Sequence, residues 1–181
     1  MRNTVAGLLC CAAFSVMAMA QAGSTPAAAG KEAAGGDQEF LNFAAQTDMT
    51  EAHLGQMAQE QGSSQAVKDL GQMLATDHTN DYKQLSAAAA KAGLTVPKGL
   101  DATRDKMIAP FEKLKGAAFD RHFEQAMVAG HQKAIAEYKK EADSGQNADI
   151  KAYANQALPT LEKHLEQARE LEKSKSAKKA M

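Results

Sequence analysis

Residues 64–93 read SQAVKDLGQMLATDHTNDYKQLSAAAAKAG. Val67, Leu70, Leu74, Tyr82 and Leu85 recur at the spacing that collects side chains on one face of a helix turning 100° per residue. Ser64 stands where a side-chain oxygen caps the first free N–H groups, and Gly93 stands where a helix closes. The segment is therefore one long amphipathic helix whose apolar stripe needs a partner. His78 falls near the centre of that stripe.

The same pattern extends in both directions. Upstream, 38–61 places Phe40, Phe43, Ala44, Thr47, Leu54 and Ala58 within one arc, and Gly62-Ser63-Ser64 ends it. Downstream, 94–99 with Pro97 reads as a loop, and 101–115 reads as a short helix broken at Pro110. A third long helix over 117–142 aligns Phe119, Phe123, Met127, Ala134 and Tyr138, and stops at Asp143-Ser144-Gly145. The fourth, over 147–173, carries Ile150, Ala154, Ala157, Leu161, Leu165 and Ala168, with Pro159 expected to loosen it locally. Two helical hairpins joined by one longer crossover make an all-α four-helix bundle with the ferritin-like connection, a domain over 38–173.

The flanks are of other kinds. Residues 1–20 hold one charge, Arg2, an apolar run of 15 residues from Val5 to Met19 and the small-x-small triplet Ala18-Met19-Ala20, the anatomy of a secretory signal peptide. Cys10 and Cys11 lie inside it, so a chain cleaved after Ala20 carries no thiol, and Leu9 stands where a lipoprotein signal needs a small residue. Residues 21–37, rich in Ala and Gly, read as a flexible linker. Residues 174–181 form a Lys-rich tail, with Lys175, Lys178 and Lys179 following Lys173, suited to helix-end solvation or to contact with an anionic surface or envelope component.

Cleavage removes only Arg2 from 21 basic residues and leaves 20 against 22 acidic ones, without blocks of one sign. That balance excludes a nucleic-acid binder. There is no G-x-S-x-G, no Gly-rich phosphate loop and no H-E-x-x-H, so ordinary hydrolase and nucleotide chemistry has no residues to use.

Bundle cores normally exclude ionisable groups, which makes the inward ones informative. His78, His164 and Glu51 lie within their stripes and His131 at the edge of its own, one from each long helix. Imidazole and carboxylate projecting from four helices toward one axis is how bundles build metal sites. Asp77 and Asp120 could orient such ligands from behind. Two considerations oppose a single compact centre. At about 1.5 Å rise per residue, Glu51 and His78 differ in depth by roughly 7 Å, as do His131 and His164. The same side chains could instead be hydrogen-bonded core groups that set helix register. Di-iron chemistry needs paired Glu-x-x-His motifs, and Ala75 and Leu161 stand three residues before His78 and His164. A different donor set, Met49, His53 and Met57 at i, i+4, i+8, joins thioethers and an imidazole suited to copper(I), or else packs a helix seam. His122 points to solvent.

The order of landmarks resembles the bacterial family known as domain of unknown function 4142. Those landmarks are Phe40-Leu41, Glu51 before Leu54-Gly55, Asp77-His78, Phe119-Asp120, His131, and Leu158-Pro159 followed by His164-Leu165. The resemblance implies a four-helix bundle in the periplasm or associated with the outer membrane, with Glu51, His78, His131 and His164 as the family's polar positions, and it supplies no established activity. Many relatives carry a second acidic residue two after the first; here that position is His53, which creates the Met-His-Met flank. The expectation is an exported, non-catalytic binding or stress-related bundle with no established cofactor. Its alternative is a periplasmic binder of copper, zinc or iron.

Overall fold

A computed structural model describes the backbone over residues 26–180 and the side chains over 35–174; the signal-peptide reading lies outside these residues. Helices α1 (Pro26–Gln61), α2 (Gln65–Lys91), α3 (Ala102–Ile108), α4 (Gly116–Ser144) and α5 (Ala148–Ala180) follow one another, with a turn of 3-10 helix at Phe111–Lys113. The described residues are all-helical with no strand, as the periodicity predicts. None of the described helices is long and apolar enough to cross a membrane.

Hairpin α1–α2 lies against hairpin α4–α5, so that α1 faces α4 and α2 faces α5. The two hairpins are clasped at opposite ends by aspartates. Asp37 of α1 accepts from the backbone N–H groups of Gln146 and Asn147 at 2.9 Å each, in the α4–α5 turn. Asp120 of α4 accepts from the N–H groups of Ser63 and Ser64 and from the Ser63 hydroxyl, at 2.8, 3.1 and 2.7 Å, in the α1–α2 turn. The first half of α1 is thereby tied to the end of α4, and the start of α4 to the end of α1, which makes the two antiparallel. The crossover runs the length of the bundle along α1. The Gln38 amide donates to the Thr95 carbonyl, Gln46 bonds the Gly99 carbonyl and the Asp101 N–H, and the Gln61 amide faces the carbonyls of Phe111 and Leu114.

Hairpin α1–α2 is closed by backbone rather than side chain. A Cβ on Gly55 would fall 2.5 Å from the Gly71 carbonyl oxygen and 2.9 Å from the Ala75 nitrogen, so only glycine permits this approach. The interior is two apolar clusters. One, toward the α4–α5 turn, includes Leu41, Leu85, Tyr138, Ile150 and Leu161; the other, toward the α1–α2 turn, includes Leu54, Leu74, Phe119, Phe123 and Met127. Among the buried polar groups in these helices are Asp48, Glu51, His78, His131 and His164.

Two boundaries depart from the sequence reading. Helix α1 begins at Pro26, where composition suggests a linker over 21–37, and Asp37 is only 3% exposed. Scarcity of large apolar residues argues against a core but not against a helix: alanine has the highest helix propensity, and proline fits the first helical position. At the other end α5 continues through the Lys-rich tail to Ala180. Helix α5 also passes through Pro159 unbroken; proline has no N–H to give the carbonyl four residues back, at Asn155.

Candidate metal centre

Each long helix contributes one inward donor: Glu51 from α1, His78 from α2, His131 from α4 and His164 from α5. All are buried, at 4, 2, 0 and 1% exposure. Burial at this level is costly for ionisable groups unless each polar atom is matched.

The four donors meet despite their difference in backbone depth. Glu51 Oε2 lies 2.9 Å from His78 Nε2 and 3.1 Å from His131 Nε2. The His164 ring centroid is 5.3 Å from that of His78 and 5.2 Å from that of His131. One ring nitrogen from each of the three histidines lies within 4.8 Å of the others. Backbone rise alone predicts separation, but side chains on a helix lean toward its N-terminus. On antiparallel partners the leans oppose. Glu51, nearer the hairpin turn, reaches away from it, while His78, deeper, reaches back. His131 and His164 meet in the same way.

The ring nitrogens divide into two sets. The outer ones are bonded: His78 Nδ1 to Asp48 Oδ1, His131 Nδ1 to the Met127 carbonyl, and His164 Nε2 to Asp77 Oδ2, each at 2.9 Å. Carboxylates and a carbonyl only accept, so each outer nitrogen carries a proton, and the lone pair of a neutral ring faces inward. The inner nitrogens, His78 Nε2, His131 Nε2 and His164 Nδ1, together with Glu51 Oε2, are buried and make no aligned hydrogen bond. Glu51 is thus held against His78 and His131 chiefly by charge, with poor hydrogen-bond alignment.

Electrostatics follow from this crowding. For His78, burial favours the neutral ring, but the Glu51 and Asp48 carboxyls outweigh it and raise the pKa to about 10. Burial pushes Glu51 up, yet His131 and His78 pull it down to about 2. Burial lowers His131, and burial with the neighbouring His78 lowers His164 to about 4. Burial dominates at Asp48, which rises to about 7 against the pull of His78. At neutral pH His78 therefore holds a second proton, on the Nε2 that faces Glu51, and a cation bound by that nitrogen would take the proton's place. Behind it a polar chain continues: Tyr153 donates to Asp81 at 2.7 Å, and its hydroxyl meets that of Tyr138 at 3.0 Å.

A cleft of about 290 Å³ lies between α2 and α5 beside the cluster. His78 and His164 line it, with Asp77, Asp81, Thr160 and Lys163 among its walls.

The remaining residues singled out from sequence take other places. Asp77 does stand behind a histidine, His164. Asp120 does not: it clasps the α1–α2 turn, because its place in the first turns of α4 puts it at the hairpin end rather than mid-bundle. Met49 packs against one apolar cluster and Met57 is buried in the other, while His53 is exposed. Eight residues of helix carry Met49 and Met57 about 12 Å apart along the axis, so the flank does not assemble one donor set. His122 is exposed, as expected. Asp48 was not singled out by sequence reasoning. Its signal was present, since Asp48 lies four residues after Ala44 and three before Glu51, on the same face.

Comparisons with known proteins agree with this architecture. No functionally curated protein matches the chain. Among solved structures, CopM in a silver-bound form superposes with a TM-score of 0.61 at 15% identity, covering 76% of this chain and 96% of that one. A DUF305 protein from Streptomyces coelicolor, described as secreted, superposes with a TM-score of 0.59 at 16% identity, covering 75% and 91%. At such identities the likeness is one of fold. The sequence itself matches the profile of a named family, domain of unknown function (DUF4142), over residues 22–171, and the chain belongs to that family.

Proposed function

We propose that this protein is an exported, non-catalytic helical bundle that binds a metal ion through Glu51, His78, His131 and His164. The observation that carries the reading is the set of three inward imidazole nitrogens and one carboxylate oxygen, buried together without aligned hydrogen bonds, while the outer nitrogens are all engaged. Hydrogen bonding of the far nitrogen to a carboxylate or carbonyl is the usual support of a metal-bound histidine. A purely structural histidine layer would pair its donors and acceptors with one another. CopM, of the same fold, has been crystallised with silver, so metal capture lies within reach of this architecture. Export to the periplasm rests on residues 1–20, whose short apolar run and small-x-small end suit a cleaved signal.

The test is metal content and thermal shift of the chain from Gln21 without a His-tag, with copper, zinc and iron. One ion per protomer and a melting rise of several degrees, lost in His131→Ala and retained in His53→Ala, are expected. Melting unchanged in excess of all three metals would leave the cluster a register device.

A further inference from the structure

We infer that this centre is built for a divalent ion of the zinc(II) or copper(II) kind, held by four protein donors with no position left open, and that it discriminates against monovalent copper and silver. The inference rests on the metal-centre reading above and adds the class of ion and its coordination.

Donor chemistry is the first argument. Three imidazole nitrogens and one carboxylate oxygen converge, and the four residues that bring them include neither thiolate nor thioether. Monovalent copper and silver are soft and favour sulfur, whereas imidazole with carboxylate suits borderline divalent ions. The sulfur-bearing alternative on α1 is dispersed, with Met49 against one apolar cluster and Met57 in the other.

Charge is the second. Glu51 faces the site directly, and Asp48 and Asp77 each bond the outer nitrogen of a ligand histidine. Carboxyl groups at the site and behind two of its histidines favour a doubly charged ion over a singly charged one. A carboxylate behind an imidazole also makes its inner nitrogen a stronger donor, which favours the more highly charged ion. The cleft lined by His78 and His164 is walled by Asp77 and Asp81 with Lys163, an acidic surplus beside the site.

Geometry is the third. Donors about 2.0–2.1 Å from a tetrahedral zinc stand roughly 3.3 Å apart. The carboxylate oxygen already lies 2.9 and 3.1 Å from two of the nitrogens, and the three nitrogens lie within 4.8 Å of one another. Closing on an ion asks for side-chain adjustment, not helix movement. Gly130 supports the fit: a Cβ there would stand 3.0 Å from Glu51 Oε1, so α4 leaves the space the carboxylate occupies. Four donors from four helices, buried to 4% exposure or less, surround the ion.

The experiment loads the chain from Gln21 with cobalt(II) and reads its visible spectrum, then displaces cobalt with zinc(II), copper(II) or silver(I), and with copper(I) under reductant. The expected result is the intense absorption of tetrahedral cobalt, bleached by one equivalent of zinc or copper(II) and left in place by equimolar silver or copper(I). Glu51→Gln keeps the side-chain shape and removes one charge. It should weaken zinc binding by at least the roughly 10- to 100-fold that loss of a supporting partner costs, while leaving silver binding within a few-fold. Weak octahedral cobalt bands would overturn the closed site. Silver or copper(I) displacing zinc at equal concentration would overturn the divalent preference and leave the metal centre standing. Failure of every ion to bind would instead sink the metal-centre reading itself.

Discussion

Asp48 Oδ1 accepts a hydrogen bond from His78 Nδ1 at 2.9 Å, both groups being 2% exposed or less. This contact fixes a proton on His78 Nδ1 and turns Nε2 toward Glu51. Asp48→Asn retains an accepting oxygen but not the charge. It should lower affinity for zinc or copper(II) about 10- to 100-fold while the helical content holds. Competition titration against a chelator of known affinity measures this, and an unchanged constant would reduce Asp48 to packing.

Glu141 gives a pH dependence away from the site. Burial, then the adjoining Asp37 carboxyl, raises its pKa from 4.5 to about 7. Between those values the folded chain holds a proton that the unfolded chain has released, so stability falls as pH rises from 4.5 through 7. Glu141→Gln removes the dependence: it should stabilise the protein at pH 8 and make little difference at pH 4. Urea unfolding at the two pH values is the measurement, and equal effects at both would contradict the raised carboxyl.

The α1–α2 crossing predicts a steep cost for one methyl group. Alanine at position 55 gains about 1 kcal/mol of helix propensity, yet its Cβ meets backbone on α2 that cannot rotate away. Overpacking against rigid backbone lies at the upper end of the usual range, about 3 kcal/mol, so after the propensity gain Gly55→Ala should destabilise by about 2 kcal/mol. Gly99→Ala, where a Cβ meets nothing within 4 Å, serves as the control.

Asp120 is expected to matter for stability and not for metal. Asp120→Ala leaves the N–H groups of Ser63 and Ser64 without their acceptor, at about 2 kcal/mol for bonds to a charged group. For a domain of this size that is a melting decrease of roughly 4–8 °C. Metal affinity should stay within a few-fold of the parent, and a larger loss would tie the turn to the centre.

Much of this was legible before any coordinates. The stripes of α2, α4 and α5 and the closures at Gly62, Gly93 and Gly145 place the turns within a residue or two, because period and capping are local properties. Glu51, His78, His131 and His164 were legible too, as ionisable residues inside apolar arcs. Asp48 was not, since an acid beside a recognised one looks like part of a solvated face until the wheel is drawn around it. The helix over 26–37 was hidden for another reason: its alanines offer no stripe, only propensity.

The sequence by itself determined that the chain is helical, where the hairpins turn, and that Glu51, His78, His131 and His164 face inward, because each of these depends on neighbours within a few residues. Only the tertiary structure decided that the four meet. Their convergence depends on antiparallel partners whose side chains lean in opposite directions, on the glycine approach at Gly55 and Gly71, and on the aspartate clasps that set register between hairpins. None of those relations lies within one turn of helix. The same reason explains why Asp77 came to stand behind His164 and Asp120 did not come to stand behind any histidine: position along the bundle axis, not residue type, selects the partner.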